Sequence, residues 1–318
     1  MRPRRLLALL FSAFFLLAAG CQRAAPPASS APLTVLTIGT ADSGGTMYPV
    51  GSAIAKALST DQLRINVGAS TGSVMNIQNL ADGQVDLALV SGDAAYTASH
   101  DPDGNGSELR AIAAVFTSVS NWVAPVSTGA RYVHDLKGLH IGVGPENSTT
   151  ELAALAAIQA LELDGPDTVL ENCGLGAGTE QVIAGKLDAI HGFSGIPIQG
   201  LTHLTDQVSC RVLAYTQEEL DTILGLHSIY TPAVIPAGTY AGQRVDVQTF
   251  GVKALLCVDA SMDETLVRSL TQALWESREA LASEHPAMAD MARDTFLYED
   301  LPIPLHKGAE DFYDSLSS

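Results

Sequence analysis

The sequence predicts an α/β fold of two similar α/β lobes joined by crossing strands. Three observations support this prediction. Near the start of the chain, an apolar strand ends in a Gly/Thr/Ser turn and runs directly into a helical pattern. The same arrangement returns in the second half of the chain, and a long apolar strand follows it. A module that recurs with similar spacing indicates a duplicated architecture, so the two copies predict two related lobes.

The first copy lies between Thr34 and Asp93. Its apolar strand stops at the turn Gly39–Thr46, and the helical pattern Tyr48–Leu58 follows. A second strand, a hydroxyl-rich helix start at Ser70–Ser73 and a third strand complete the copy. A helix that begins directly after a strand leaves its first N–H groups without partners, and such helix starts bind anions.

The second copy lies at 139–188 and nearly repeats the spacing of the first. Gly39 and Gly83 are 44 positions apart in the first copy, and Gly142 and Gly185 are 43 positions apart in the second. Ligands of open α/β sheets bind at the carboxyl ends of the strands. Two facing lobes would therefore present two sets of helix N-termini to one cleft.

These patterns divide the chain into five segments. They are a signal peptide at 1–20, a lipoprotein tether at 21–32, a first lobe at 33–122, a second lobe at 123–246, and a return strand with C-terminal helices at 247–318. The return strand is predicted at Val247–Val258, and the helix that follows it at Glu264–Leu281 begins at the capping residue Asp263. The last segment is expected to pack on the first lobe.

The N-terminus has the pattern of a secretory signal. A basic stretch at 1–5 precedes the apolar run Leu6–Leu17, and small residues then lead to Cys21. The apolar run is short for a membrane span, which favours a signal peptide. The cleavage site resembles a bacterial lipoprotein box, in which Cys21 would carry the lipid; secretion without lipidation is the alternative. We expect an extracytoplasmic, periplasmic protein whose only membrane contact is this anchor.

Charge and composition exclude some classes of partner. The chain has 318 residues, an apolar fraction of 47% and a net charge of −18. Without Arg2, Arg4 and Arg5 of the leader, 14 basic residues stand against 35 acidic ones, which gives −21. Such a surface repels nucleic acid and anionic lipid, so neither is an expected partner. The charge can also serve only solubility or adaptation to salt.

Three cysteines remain beyond Cys21. Cys173 and Cys210 can pair in an oxidising compartment, although spacing alone does not establish a bond, and Cys257 lies in a stretch that predicts a buried strand. The cysteines and histidines show no zinc-binding spacing, so no metal site and no cofactor are predicted.

The sequence offers little for catalysis, and no catalytic residue is predicted. The stretch Gly192–Gly195 lacks the second glycine of a nucleophile elbow, because Ile196 stands in its place. The glycine-rich stretch 174–180 lacks the Gly-Lys-Ser/Thr of a phosphate loop and predicts a turn before a helix at Gln181. Asp86 and Asp188 occupy equivalent places in the two copies, which favours a shared structural role over acid–base work.

Binding is better supported than catalysis. The turn positions of both copies carry hydroxyls, amides and glycines, and basic side chains are nearly absent from them. A small anion would be held there by helix-start N–H groups and hydroxyls. Each hydroxyl can instead cap its own helix. Tyr48 and Phe193 flank these turns and would contact an apolar part of the ligand or belong to the core.

Several stretches resemble the TAXI family of solute receptors, which serve TRAP transporters. They include Gly39–Pro49, Ser70–Asn76, Val90–Asp93, Asp135–Gly138, Gly142–Pro145, Gly185–Ala189, Ile235–Tyr240 and Leu305–Ala309. The resemblance covers nearly the whole mature chain in the right order. It departs at Asp42 and Met47, where family members tend to have glycine and an aromatic residue.

The resemblance implies a type II periplasmic-binding fold whose two lobes close on a solute. It implies a receptor that delivers glutamate, glutamine or a related dicarboxylate to an ion-driven membrane permease, and not an enzyme. A ligand-sensing accessory protein of the same fold and an extracytoplasmic hydrolase are the alternatives. The residues predicted to bind the solute are Thr40, Gly45, Thr46, Met47, Tyr48, Ser70, Ser73, Asn76, Ser91, Asp93, Ser148, Thr149, Phe193 and Ser194.

Overall fold

The computed structural model describes residues 33–101 and 108–316. The predicted signal peptide, the tether and the lipidation site Cys21 lie outside these residues. Within the described ranges, no helix combines the length and the apolar character needed to cross a bilayer.

The first module is a strand–helix–strand–helix–strand unit, as the sequence predicts. Its elements are β1 (Thr34–Gly39), α1 (Met47–Leu58), β2 (Leu63–Gly68), α2 (Ser73–Ala81) and β3 (Leu87–Ser91). β1 pairs in parallel with both β2 and β3, so the two helices lie in crossover connections between parallel strands. Helix α3 (Gly92–His100) then leads away from the end of β3.

Strand β4 (Leu109–Pro125) connects the first module to the second. The second module repeats the first in the same order. Its elements are β5 (His140–Gly144), α4 (Thr149–Ala160), β6 (Val169–Asn172), α5 (Leu175–Ile183) and β7 (Ala189–Ser194). β5 pairs in parallel with β6 and β7, as β1 does with β2 and β3.

The remaining chain returns to the first module. Its elements are α6 (Gln199–Gln207), β8 (Cys210–Val212), α7 (Gln217–Leu226), β9 (Thr231–Ile235), β10 (Val247–Asp259), α8 (Glu264–Glu284), a 3-10 segment (Pro286–Ala292) and α9 (Lys307–Leu316). The predicted return strand and the helix after it are therefore confirmed. The carboxylate of Asp263 accepts a hydrogen bond from the Leu266 amide at 2.8 Å, which is the predicted cap.

All the described strands belong to one curled sheet with the order β2-β1-β3-β10-β4-β7-β5-β6, to which β8 and β9 attach at β4 and β10. The central strands β10 and β4 run antiparallel, with Gly251 opposite Val119 where the sheet passes from one module to the other. The mixed α/β fold class predicted from the sequence is confirmed.

The equivalent aspartates have the same structural role in both modules. The Asp86 carboxylate accepts a hydrogen bond from the Thr37 amide at 2.8 Å, and the Asp188 carboxylate accepts one from the His140 amide at 2.9 Å. The backbone amide of each aspartate donates in return to the carbonyl of the same partner residue. Each aspartate therefore fixes the turn before the third strand of its module to the first strand, and no catalytic role is needed to explain it.

The apolar side chains form separate cores for the two halves. The first core contains the first module together with Leu109–Phe116 of β4, the last part of β10 and the C-terminal helices. The second half packs on both faces of the sheet. Trp122 and Phe193 lie on one face, whereas Val123 and Ile190 lie on the other, as alternation along strands requires. The lobe boundaries given above stay a prediction.

Four details differ from the sequence analysis. Helix α5 begins at Leu175 and not at Gln181, because the glycine-rich stretch 174–180 forms its first turns. Strand β9 was not predicted, and its proline, Pro232, lies on a strand that pairs on one side only, with β10. Helices α6 and α7 were not predicted. Cys173 and Cys210 are both free, so the considered disulfide is absent among the described residues, while Cys257 is buried as predicted.

Candidate functional site

A small cavity, the cleft cavity, lies between the two modules. Its volume is about 50 Å³, which is room for one or two water molecules. It is lined by Ala41, Asp42, Gly45, Thr46, Met47, Thr71, Gly72, Ser73, Pro145, Ser148, Thr149, Thr150, Leu175, Phe193 and Ser194. Ligand pockets commonly have volumes of roughly 300–1,000 Å³, so the space between the modules is narrower than a typical pocket, and we call this the closed arrangement.

Four helices begin at the wall of the cleft cavity. Helices α1 and α2 come from the first module, and α4 and α5 come from the second. No side chain caps the start of α1, α2 or α5, and glycine stands at the capping position of both α2 and α5. Helix starts carry unsatisfied N–H groups and the positive end of the helix dipole. The cavity therefore attracts negative charge without a cationic side chain.

The charge of the lining supports this interpretation. It contains no Lys, Arg or His, and Asp42 is its single charged residue. The exposed Asp42 carboxylate accepts a hydrogen bond from the Gly44 amide at 2.7 Å, so it is fixed at the mouth of the cavity. The site thus combines positive helix ends inside with one carboxylate at its edge.

The nearest buried histidine does not add a cation. His191 lies behind the start of α4, with Nδ1 3.0 Å from the Thr150 carbonyl oxygen and Nε2 3.0 Å from the Ser120 hydroxyl. Burial lowers the pKa of His191 to about 3, so its ring is neutral at physiological pH. The positive potential of the cavity comes from the backbone.

Direct contacts between the modules close the cleft. The Thr46 hydroxyl donates a hydrogen bond to the Gly195 carbonyl, and the Gly200 amide donates to the Gly44 carbonyl at 3.2 Å. A Cβ atom on Gly44 would lie 3.3 Å from the Gly176 nitrogen. Glycines therefore permit backbone to approach backbone across the mouth of the cleft.

Comparison with known proteins gives the family. The sequence profile of the NMT1-like family matches residues 38–315, nearly all of the described chain. The chain belongs to the NMT1-like family.

Solved structures share the fold of this NMT1-like protein at low sequence identity. A protein from Bordetella bronchiseptica RB50 is 15% identical, with a TM-score of 0.52 over 88% of this chain and 82% of the other. The ligand-binding component of an ABC-type import system from Staphylococcus aureus, with zinc bound, is 10% identical, with a TM-score of 0.51 over 87% and 84%. The alkanesulfonate-binding protein from Xanthomonas axonopodis pv. citri, bound to MOPS, is 16% identical, with a TM-score of 0.48 over 90% and 85%.

The structure brings eight of the residues predicted to bind the solute together at the cleft cavity. They are Gly45, Thr46, Met47, Ser73, Ser148, Thr149, Phe193 and Ser194. Three of their hydroxyls also have structural partners, and that of Thr46 donates to the Gly195 carbonyl as described above. The Ser148 hydroxyl accepts a hydrogen bond from the Glu151 amide at 3.2 Å and so caps α4, and the Ser73 hydroxyl accepts one from the Ser91 amide at 2.9 Å. Phe193 is almost fully buried and also packs in the second core.

Three other predicted residues lie outside the lining and form a hydrogen-bond network next to it. They are Thr40, Ser70 and Asn76. The Asn76 side-chain amide donates hydrogen bonds to the Thr40 carbonyl at 2.7 Å and the Leu89 carbonyl at 2.8 Å. The Ser70 hydroxyl lies 2.7 Å from both the Asn76 side-chain oxygen and the Thr40 carbonyl. This network fixes the turn after β1 to the start of α2 and to β3.

The last three predicted residues also lie outside the lining. Tyr48 is exposed, and its ring does not belong to the core. Ser91 is buried behind the cavity. Asp93 is buried at the start of α3, where it accepts hydrogen bonds from the Ala94 amide at 2.9 Å and the Tyr230 hydroxyl at 3.0 Å. Burial raises the pKa of the Asp93 carboxyl, and these hydrogen bonds act against that rise.

Sequence reasoning missed part of the wall. Seven lining residues were not among the predicted binding residues, namely Ala41, Asp42, Thr71, Gly72, Pro145, Thr150 and Leu175. A correct start for α5 would have indicated Leu175, because Gly174 aligns with Gly72 as the residue before a helix. Within residues 33–101 and 108–316, no group of three or more His, Cys, Asp or Glu side chains could hold a metal ion.

Proposed function

We propose that this NMT1-like protein is an extracytoplasmic receptor that binds a small carboxylate-bearing solute between its two modules and delivers it to a membrane permease. One observation carries the proposal: four helix starts from both modules converge on a cavity that contains no basic side chain. Backbone amides at helix starts bind carboxylates, and a closed cleft strengthens those bonds by excluding water. The assignment of the Staphylococcus aureus neighbour to an importer supports the same role.

Asp42 narrows the class of solute. A carboxylate at the mouth of the cavity repels a second negative charge, whereas it attracts an ammonium group. An amino acid satisfies both features, because its carboxylate would reach the helix starts and its amino group would reach Asp42. We therefore favour glutamate, glutamine or a similar amino acid over a simple dicarboxylate.

The partner we propose is a TRAP permease, and the protein would be held near it by a lipid on Cys21. The resemblance of the first turn and of 235–240 to TAXI receptors supports this partner. An ABC permease is the competing partner, since the Staphylococcus aureus neighbour belongs to such a system. Uptake that stops when the ion gradient is collapsed, while ATP is kept constant, would support TRAP; uptake that persists would support ABC.

A thermal-shift screen of the purified mature protein tests binding. A solute at one hundred times its Kd adds about 2.7 kcal/mol of stability, which corresponds to a rise in Tm of about 4 °C for a domain of this size. Glutamate and glutarate form the decisive pair, because they differ only in the amino group. If neither of these nor any other amino acid or dicarboxylate raises Tm, the proposal is wrong.

Asp42→Asn then tests the contact with the amino group. We expect the affinity for glutamate to fall about tenfold and that for glutarate to stay constant or rise. Glu146→Gln is the matched control, since it removes an exposed acidic charge next to the lining residue Pro145. The double substitution of Ser148 and Thr149 by Ala tests the second wall, and unchanged affinity would remove that wall from the site.

A further inference from the structure

A second and much larger cavity lies where the two halves of the molecule meet. This hinge cavity has a volume of about 810 Å³, within the range of small-molecule sites, and shares no lining residue with the cleft cavity. Its floor is formed by Thr117 and Val119 of β4 and Lys253 of β10, next to the Val119 and Gly251 pair where the sheet passes between modules.

Both halves of the molecule contribute walls to the hinge cavity. Phe296, Pro286 and Ala287 belong to the C-terminal region that packs with the first core. The loop Ile196–Pro197, strand β9 and the turn at 236–239 belong to the second half. An occupant would contact both halves at once, so its binding would depend on their relative orientation.

One corner of the hinge cavity is positively charged. Lys253 is half-buried, and its ammonium group donates hydrogen bonds to the Phe296 carbonyl at 3.2 Å and the Glu299 carbonyl at 2.7 Å, which leaves one N–H group. Among the described residues, no carboxylate oxygen lies within 4 Å of this group. Burial lowers the pKa of Lys253, Arg293 adds to this, and Asp300, Glu299 and Asp290 act against it from a longer distance.

A second cation stands beside the first. The Arg293 guanidinium lies 5.3 Å from the centre of the Phe296 ring, and the Lys253 ammonium lies 4.9 Å from the same centre. Arg293 is mostly exposed and forms an ion pair at 3.4 Å with Asp290, which also lines the cavity. The protein as a whole is strongly negative. Two cations beside the same aromatic ring therefore create a local region that attracts an anionic group.

Much of the remaining wall is apolar, and Thr117, Thr231, Thr239 and Asp290 are its other polar residues. Pro232, Ala233, Pro236, Pro286 and Ala287 face this space beside the Phe296 ring. We propose that the hinge cavity is a second binding site, for a small organic anion with an apolar body whose charged group contacts Lys253 and Arg293. The apolar body lies along the prolines.

Gly195 lies between the hinge cavity and the cleft cavity and packs against residues on both sides. This residue stands between Ser194 of the cleft and Ile196 of the hinge cavity, and a Cβ atom on it would lie 2.7 Å from Ala287 and 3.0 Å from the Thr46 methyl group. Thr46 also donates its hydroxyl hydrogen to the Gly195 carbonyl. Because the hinge cavity has this form in the closed arrangement, its occupant favours closure.

Calorimetric titration with phenylbutyrate and its neutral counterpart phenylbutanol tests the site without any cleft solute. We expect phenylbutyrate to bind at least tenfold more tightly than phenylbutanol, and Lys253→Met to abolish this preference. Ala289→Trp places a large side chain into the cavity from an exposed position, so it should weaken both probes at least tenfold while the protein stays folded. Lys186→Met, at an exposed lysine away from the cavity, should behave as wild type.

Equal affinities for the two probes, no binding to the wild type, or binding unaffected by Ala289→Trp would overturn the proposal. Hydrogen exchange tests closure separately from any solute in the cleft. Phenylbutyrate should slow exchange of the Gly200 amide, which donates to Gly44 across the cleft, in the wild type but not in Ala289→Trp. Unchanged or faster exchange would contradict the closing role.

Discussion

The two modules reach the same backbone geometry with different chemistry beneath the turn that borders the cleft cavity. Asn76 in α2 and Gly178 in α5 occupy equivalent places, since their amides donate to the carbonyls of Gly72 and Gly174 at 3.0 and 2.8 Å. In the first module, Asn76 fills the space below the turn with hydrogen bonds to Thr40 and Leu89. In the second module, apolar and sulfur atoms fill it, and a Cβ atom on Gly178 would lie 2.5 Å from Ile190 and 2.8 Å from the Cys173 sulfur.

This difference shows which part of the duplication is under geometric constraint. Both modules have the helix start and the aspartate before the third strand. The side chains packed beneath the turn differ, because they are polar in the first module and apolar in the second. A buried hydrogen-bond network fixes one orientation of the turn, and apolar packing tolerates small shifts. The first module therefore has the more rigid wall, and the second has the more adaptable one.

Asn76→Ala should have the largest effect on this comparison. It removes the side-chain donor of the buried Leu89 carbonyl and leaves the Thr40 carbonyl with the Ser70 hydroxyl alone, so we expect the free energy of unfolding to fall by about 2–3 kcal/mol. Urea denaturation measures the change. Asn79→Ala on the same helix is the control and should stay within about 0.5 kcal/mol of wild type. A loss below about 1 kcal/mol for Asn76→Ala would show that the network does not stabilise the turn.

Asp86→Ala and Asp188→Ala test whether the two equivalent aspartates contribute equally to stability. Each substitution removes the acceptor of a backbone amide at nearly the same distance, and both aspartates are half-buried. We expect two similar losses of about 1–2 kcal/mol in denaturant unfolding. A cost in one module more than twice that in the other would contradict the shared role.

Ser148→Ala tests the one side-chain cap among the helix starts at the cleft cavity. Loss of the hydrogen bond to the Glu151 amide should reduce stability by about 1 kcal/mol. Thr46→Ala is the matched variant, because Thr46 caps no amide of α1 and its hydroxyl contacts Gly195 in the other half. Its helix should keep its stability, while hydrogen exchange at the closing contacts should accelerate. Equal losses of stability in α4 of Ser148→Ala and in α1 of Thr46→Ala would show that the distinction between a cap and a closing contact is wrong.

Asp93 gives a pH test of a charge that the second module lacks, since Gly195 and Ile196, which follow β7, are both uncharged. Because burial raises its pKa above the ordinary value of 3.8, folded protein keeps a proton that the unfolded chain has already released. The contribution of Asp93 to stability therefore falls as pH rises from 3.8 through the raised pKa. The Asp93→Asn variant should become more stable relative to wild type over that window. Asp61→Asn, at an exposed residue, should show no such trend.

The sequence alone predicted the repeated elements and the role of their aspartates because these depend on local patterns. Spacing between glycines fixed the equivalence of Asp86 and Asp188, and the apolar run at 247–258 identified β10. The start of α5 was missed because Gly176 and Gly178 weaken helix propensity, while packing against Ile190 and Cys173 requires a glycine at 178. Asp42 was noted as a departure from the TAXI pattern, but its position at the mouth of the cavity depends on the approach of the second half.

The path of the backbone also sets the order in which the molecule can fold. The residues between Val119 and Val252 are contiguous, and they build the core of the second half from neighbours in sequence. In contrast, β3 and the first part of β4 are separated in the sheet by β10, which arrives only near the C-terminus. The edges of β3 and β4 that pair with β10 therefore stay unpaired until translation is almost complete, so the first half of the sheet can form only late in synthesis.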